Sequence, residues 1–295
     1  MDNMTALVSA FARAYHYRNN DTWVFADELA QKLLTEEEYA SVSGSMADGI
    51  AFFAPGFSGT REEALRYVVD RQLAPPVLAR SAFCERAIRD AIRVGCAQIV
   101  LFAAGYDTFS LRAEDERLDV FELDRPEMIR DKEARVRRSG LTAACRCRRV
   151  GCDLSLDSWR EPLIRAGFDP LKRSFGSLLG ISYYLTKAAF GSLLRGISAL
   201  WSAGSSVCFD YPLSEEGSES RINRELAAAA GERMKVRYTQ GELERTLADA
   251  GFLIYEHLDA GAATEQFFKA CNEASPKHPM AAPRGVGYCL AVKRG

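Results

Sequence analysis

Two periods of apolar residues divide the chain. Up to Gly95 they recur every three to four positions, the spacing that lines one face of a helix. Ala6 to Tyr17 and Phe25 to Leu34 read as helices, and Phe83, Ala87, Ile88, Ala91 and Ile92 mark the buried face of a long helix from Pro76, closed by Gly95 as a C-terminal cap. Beyond Gly95, short β-prone runs alternate with helical stretches. The expected strands are Ile99 to Phe102, Leu118 to Leu123, Arg149 to Leu154, Ser177 to Ile181, Ser206 to Tyr211, Phe252 to Leu258 and Val286 to Val292. Helices are expected from Pro126, over Lys187 to Leu200, through the polar stretch after Tyr211 to about Gly231, and over Gln240 to Ala250. Such alternation predicts an α/β fold with a mostly parallel seven-stranded sheet. The last two strands, joined by a short helix and loop, suit an antiparallel ending. Residues 1–75 form a helical N-terminal extension in this scheme, and residues 76–295 one compact domain.

Composition narrows the function classes. With 38 Lys+Arg against 40 Asp+Glu, both signs interspersed, no basic face points to nucleic acid. No apolar stretch approaches the ~20 residues of a membrane span, and the N-terminus lacks the pattern of a signal peptide, so a cytoplasmic location is expected. Eight cysteines in such a chain are expected to be reduced and buried. Cys145, Cys147 and Cys152 cluster, but at no common zinc spacing, and no metal site is expected.

In a doubly wound sheet the ligand sits outside the carboxyl ends of the strands, so the turn after the first strand is the place to look. It reads Ala103-Ala104-Gly105-Tyr106-Asp107-Thr108: small residues that admit close backbone approach, a glycine able to take positive φ, and Asp107 or Thr108 to cap the next helix. The second strand ends in Glu122-Leu123-Asp124, about 20 residues on, where an acidic side chain commonly accepts from a ribose diol. A tight turn and a solvated carboxylate are the plainer alternatives.

These segments, with Phe121-Glu122-Leu123-Asp124-Arg125-Pro126-Glu127 and Cys152-Asp153-Leu154, resemble the leucine carboxyl methyltransferase family. Arg13-Ala14-Tyr15-His16, Phe25-Ala26-Asp27-Glu28-Leu29-Ala30, Ala79-Arg80, Gly167-Phe168-Asp169-Pro170 and Gly180-Ile181-Ser182-Tyr183-Tyr184-Leu185 extend the resemblance over the first two-thirds of the chain. It implies a Rossmann-like class I methyltransferase domain that binds S-adenosylmethionine. By that resemblance, Arg80 holds the methionine carboxylate, Ala103 and Gly105 form the first turn, Asp124 takes the ribose hydroxyls with Glu122 supporting the turn, Asp153 and Leu154 bracket the adenine, and Gly180 closes the site after the fourth strand. Two departures stand out. Ala103 replaces a usual glycine, which adds a methyl group near the methionine end, and Leu179 replaces an acidic residue of many members.

Methyl transfer from a sulfonium needs alignment and exclusion of water more than it needs catalytic groups. A carboxylate acceptor is already ionised, whereas a hydroxyl needs a base. His16 is the candidate base, the alternative being a surface or capping histidine. Tyr183 and Tyr184 are candidates to face the acceptor, against simple core packing, and Phe52, Phe53 and Phe57 are candidates for an apolar lid. The expected activity is O-methylation of a hydroxyl or carboxylate on a small molecule, in the manner of bacterial polyketide-type members. A nicotinamide oxidoreductase fits less well, because the turn offers one glycine and an aspartate where a diphosphate wants a full glycine-rich loop. Protein carboxyl methylation and a non-catalytic cofactor-binding module are the remaining alternatives.

Overall fold

The computed structural model describes residues 3–214 and 236–295. Its centre is a seven-stranded sheet in the order β3-β2-β1-β4-β5-β7-β6. The strands are β1 Gln98–Phe102, β2 Asp119–Asp124, β3 Arg146–Gly151, β4 Ser174–Leu178, β5 Ser206–Pro212, β6 Phe252–Leu258 and β7 Val286–Lys293. β1 to β5 pair in parallel, while β7 lies antiparallel between β5 and β6. Strand order reverses between β1 and β4, the switch point at which such sheets open a crevice.

Alternation along the strands supplies two cores. Ile99 and Leu101 of β1 join the cluster under the N-terminal helices, and Val100 and Phe102 join the cluster on the opposite face. The first face is covered by α1 (Met4–Asn19) and α5 (Ala74–Arg93), α2 (Glu36–Asp48) and α4 (Arg61–Val68) add Val42 and Leu65 to its cluster, and α3 (Ile50–Phe53) packs on α2 and α4. The short α6 (Phe109–Arg112) follows the β1 turn, and α7 (Pro126–Arg138) links β2 to β3. α8 (Arg160–Arg165) and α9 (Lys187–Leu200) complete the crossovers.

Three sequence expectations change. First, β3 and β4 begin and end about three residues earlier than expected, so Cys152-Asp153-Leu154 and Leu179-Gly180-Ile181 emerge as crest loops. β3 was hard to see because its first residues are arginines: Arg146 and Arg148 bond Asp119 and Arg149 bonds Glu122 across the strand pair. Second, Phe25 to Leu34 is not a helix, and only Ala30–Leu33 forms a 3₁₀ turn. Asp27 diverts this segment, since its carboxylate takes the Ala30 N–H and two donors from elsewhere. Third, the long helix starts well before Pro76. α4, a π turn over Val69–Leu73 and α5 form one helical run, so the division at residue 75 falls inside it. Pro75 and Pro76 lack the N–H that an α-helix would use, and the widened turn, in which the Ala74 N–H reaches the Val69 carbonyl, accommodates them. The expected polar helix after Tyr211 lies largely outside the described residues.

Asp27 joins the extension to the sheet. Its Oδ2 accepts from Arg13 Nε at 2.8 Å, and its Oδ1 accepts from Thr108 Oγ1 at 2.7 Å and from the Ala30 N–H at 3.0 Å. Arg13 in turn donates from Nη2 to the Tyr106 carbonyl at 2.7 Å. Burial would raise the Asp27 carboxyl, but the charges of Arg13 and Arg112 outweigh it and hold the group below its ordinary value. Asp27→Ala strands a buried guanidinium and is expected to cost about 3–5 kcal/mol in chemical denaturation. A loss under about 1 kcal/mol, the scale of an exposed pair, would contradict this role.

Candidate cofactor and acceptor site

The crest of the sheet opens into a cavity of about 1100 Å³. Its floor is the turn after β1, the end of β2 and the loops after β3 and β4, and its roof is the first half of α1 together with the π turn and the start of α5.

The β1 turn is built from left-handed backbone. Ala103 has φ +51°, the one non-glycine residue with positive φ among the described residues, and Gly105 has φ +47°. A side chain costs about 1–2 kcal/mol in this region, so the alanine is held there by its surroundings. The Ala104 N–H donates to the Leu123 carbonyl, and the Ala103 methyl packs against the second core cluster. At Gly105 a Cβ would stand 3.3 Å from the Ala6 Cβ of α1, so this glycine also lets the roof close down on the turn.

Asp124 orders the turn from β2. Its Oδ2 accepts the Gly105 N–H and its Oδ1 the Arg125 N–H, both at 2.8 Å. Burial raises its carboxyl, and those two hydrogen bonds oppose the rise. Glu122 does not line the cavity. It is fully buried, 2.9 Å from Lys132 Nζ and 3.0 Å from Arg149 Nε, and it accepts from Ser110 Oγ. Its support for the turn is therefore indirect, through the anchoring of α6, α7 and β3 to β2.

After β3, Asp153 is exposed at the cavity wall, with Oδ1 accepting from the backbone N–H and hydroxyl of Ser155. Leu154 beside it is half-buried against the second core cluster. After β4, Gly180 turns with φ +68°, and a Cβ there would lie 2.7 Å from Arg80 Nη1. The glycine lets the guanidinium lie flat against the loop, and Arg80 Nη2 donates to Ser9 Oγ of α1 at 3.0 Å. Arg80, Ala103, Gly105, Asp124, Asp153, Leu154, Gly180 and Tyr183 thus all reach one cavity.

His16 does not. It is fully buried, its Nε2 accepts the Val24 N–H at 3.0 Å, and its Nδ1 lies 3.1 Å from the Asn20 amide nitrogen. Its role as a base is corrected to a structural one, tying the end of α1 to the loop that follows. Tyr183 is on the wall, but its hydroxyl donates to Asp210 Oδ2 at 3.0 Å, and burial beside that carboxylate pushes its pKa well up. A phenol held in this way does not act as a base. Phe52, Phe53 and Phe57 are not on the cavity wall either: Phe57 packs on Tyr67, and Met46 of α2 occupies the rim instead. Sequence reading missed Asp210, which is buried at the end of β5 with Oδ1 accepting the Gly180 N–H at 2.7 Å. Its only signal was a charged residue between Phe209 and Tyr211 at a strand's carboxyl end. Among the described residues no group of three His, Cys, Asp or Glu side chains is placed to hold a metal, and no helix is long and apolar enough to cross a membrane.

Comparison with known proteins bears on this cavity. The family described as leucine carboxyl methyltransferase matches residues 6–198. YktD of Bacillus subtilis (strain 168), provisionally named an S-adenosyl-L-methionine-dependent methyltransferase, is 34% identical over 304 residues, covering 99% of this chain and 98% of that protein. A protein of Saccharopolyspora erythraea with the same provisional name is 28% identical over 209 residues, 70% of this chain and 66% of its own length. Among solved structures, a DUF574 family protein from Streptomyces avermitilis superimposes with TM-score 0.59 at 15% identity, covering 97% of both chains. A protein from Thermobifida fusca, provisionally named a methyltransferase, gives TM-score 0.59 at 13% identity, covering 90% of this chain and 93% of that one. These two share the fold described above, a Rossmann-like α/β arrangement around a mostly parallel sheet.

Burial of His16 also makes stability depend on pH. Loss of solvent, reinforced by the charge of Arg66, lowers its pKa from 6.5 to about 4. The fold therefore favours the neutral ring, and the unfolded chain binds the extra proton between those values. Stability should fall as pH drops from about 6.5 to about 4, by at most roughly 3 kcal/mol from this residue. Urea denaturation at a series of pH values should show a flatter profile for His16→Gln, and parallel profiles for the two proteins would contradict the assignment.

Proposed function

The chain belongs to the leucine carboxyl methyltransferase family and is an S-adenosylmethionine-dependent methyltransferase; we propose that it methylates an oxygen, hydroxyl or carboxylate, of a small molecule held in the crest cavity. The observation that carries this reading is the cavity itself. At about 1100 Å³ it is slightly larger than most small-ligand sites, which leaves room for an acceptor beside the cofactor. Polar groups gather at the strand ends, and the remaining wall is largely apolar, with Val8, Met46, Leu73, Val77, Leu213 and Val286 among its residues.

The residues at the crest fit the cofactor. Each Asp124 oxygen accepts one backbone N–H and keeps a lone pair, so two vicinal ribose hydroxyls have acceptors. Asp153 commits Oδ1 to Ser155 and leaves Oδ2 for the exocyclic amine of adenine, with Leu154 against the ring. Arg80 presents its planar fork to a carboxylate. When bound, the cofactor supplies a methyl group on a sulfonium, which needs no further activation. The protein's part is to hold the acceptor oxygen in line and keep water out, and the roof formed by α1 serves both.

His16 is off the wall, and the Tyr183 hydroxyl is held by Asp210, so neither side chain is placed to take a proton from an acceptor. An acceptor that arrives ionised suits such a site, which favours a carboxylate over a hydroxyl. Protein carboxyl methylation is the second reading, and the matching family's own description favours it.

Incubation of the protein with methyl-labelled S-adenosylmethionine and fractionated bacterial extract tests the proposal. Label is expected in the small-molecule fraction, as an ester released by mild alkali. Alkali-stable label there would move the acceptor to a hydroxyl. Label confined to protein would support the second reading, and absence of transfer would contradict both.

A further inference from the structure

Asp210 is 1% exposed and is not part of the cavity wall, yet its carboxylate meets three groups that are. Oδ1 accepts the Gly180 N–H at 2.7 Å, and Oδ2 accepts the Tyr183 hydroxyl at 3.0 Å while standing 3.7 Å from Arg80 Nη1. Its carbonyl accepts from Ser182 Oγ at 2.7 Å, so the whole loop after β4 is strapped to the end of β5. Register pairs Leu178 with Phe209, which puts Asp210 beside the start of the loop that follows β4.

The distance to Arg80 separates two roles. A carboxylate in a bidentate hydrogen bond would consume the fork of the guanidinium. At 3.7 Å the opposite charge still attracts Arg80, but its N–H donors are left for other partners, and one of them reaches Ser9. Gly180 completes the arrangement, because the absence of a Cβ lets the guanidinium press against the loop that Asp210 holds.

We propose that Asp210 is a positioning residue that fixes Arg80 for the carboxylate at the amino-acid end of the cofactor. It acts through Arg80 and touches no ligand. The proposal rests on the reading that Arg80 receives that carboxylate, and the test separates the two.

S-adenosylhomocysteine and 5′-methylthioadenosine share a nucleoside and thioether sulfur, and only the first has an amino-acid end. Calorimetric titration of both ligands into the full chain, its Arg80→Ala and Asp210→Asn variants and the double variant forms a thermodynamic cycle. Asp210→Asn should weaken S-adenosylhomocysteine about tenfold or more while changing 5′-methylthioadenosine less than about threefold. In the Arg80→Ala background the same substitution should then cost almost nothing further. A purely structural Asp210 would instead weaken both ligands alike, or add its loss in full to that of Arg80→Ala, and either result overturns the proposal. If Arg80→Ala itself weakens both ligands equally, the underlying assignment of Arg80 fails, and the proposal fails with it. Should Asp210→Asn not fold, as read by circular dichroism, Tyr183→Phe takes its place. It keeps the charge but frees one restraint on Oδ2, and should weaken S-adenosylhomocysteine about two- to fivefold with 5′-methylthioadenosine unchanged; unaltered affinity for both would overturn the proposal.

Discussion

The ion pair between Arg13 and Asp27 is the constraint on which the site depends. Burying two charges is unfavourable unless their remaining lone pairs and protons are matched. Here they are matched by three different parts of the chain: Arg13 from α1, the Ala30 N–H from the loop that contains Asp27, and Thr108 from the turn after β1. Arg13 closes the circuit by donating to the Tyr106 carbonyl of that same turn. The N-terminal extension is therefore fastened to the crest of the sheet by specific bonds, with apolar packing around them. Once α1 is fixed there, Ala6 lies against Gly105 and Ser9 reaches Arg80, so one node sets both the height of the roof and the place of the cationic side chain.

The floor obeys a complementary rule. The backbone must turn sharply at the carboxyl end of β1 without leaving buried amides unpaired. It does so with two left-handed residues, and the Asp124 carboxylate and the Leu123 carbonyl take the N–H groups they expose. The same carboxylate thereby shapes the turn and offers lone pairs to a ligand. Ala103 is partly buried, packing against the second core cluster while also lining the cavity, so the core takes up part of the methyl group at this left-handed position.

Much of this was legible in the sequence. β1 announced itself by the apolar run Ile99 to Phe102 and β2 by the β-prone stretch Leu118 to Leu123, and Gly105 and Asp124 by a small-residue turn and a carboxylate about 20 residues apart. Arg80, Asp153, Leu154 and Gly180 came from family likeness alone, and the fold gathers them around the same cavity. What stayed hidden depended on partners distant in sequence. His16 looked like a base because nothing in its neighbourhood reveals that the Val24 amide will occupy its ring nitrogen. Phe25 to Leu34 has helical spacing, but the triple demand on Asp27 outweighs local propensity. Asp210 sits in a β-prone run, and its meaning appears only when strand order places β5 beside β4.

In the proposed function the crest grips a sulfonium donor by its nucleoside and its amino-acid end. A crystal structure with S-adenosylhomocysteine tests it most directly. Ribose hydroxyls are expected on the Asp124 carboxylate, adenine beside Asp153 and Leu154, the terminal carboxylate at Arg80, and the sulfur facing the apolar part of the cavity. A saturated crystal whose crest holds no ligand, or a ligand seated with its adenine at Arg80, would contradict it.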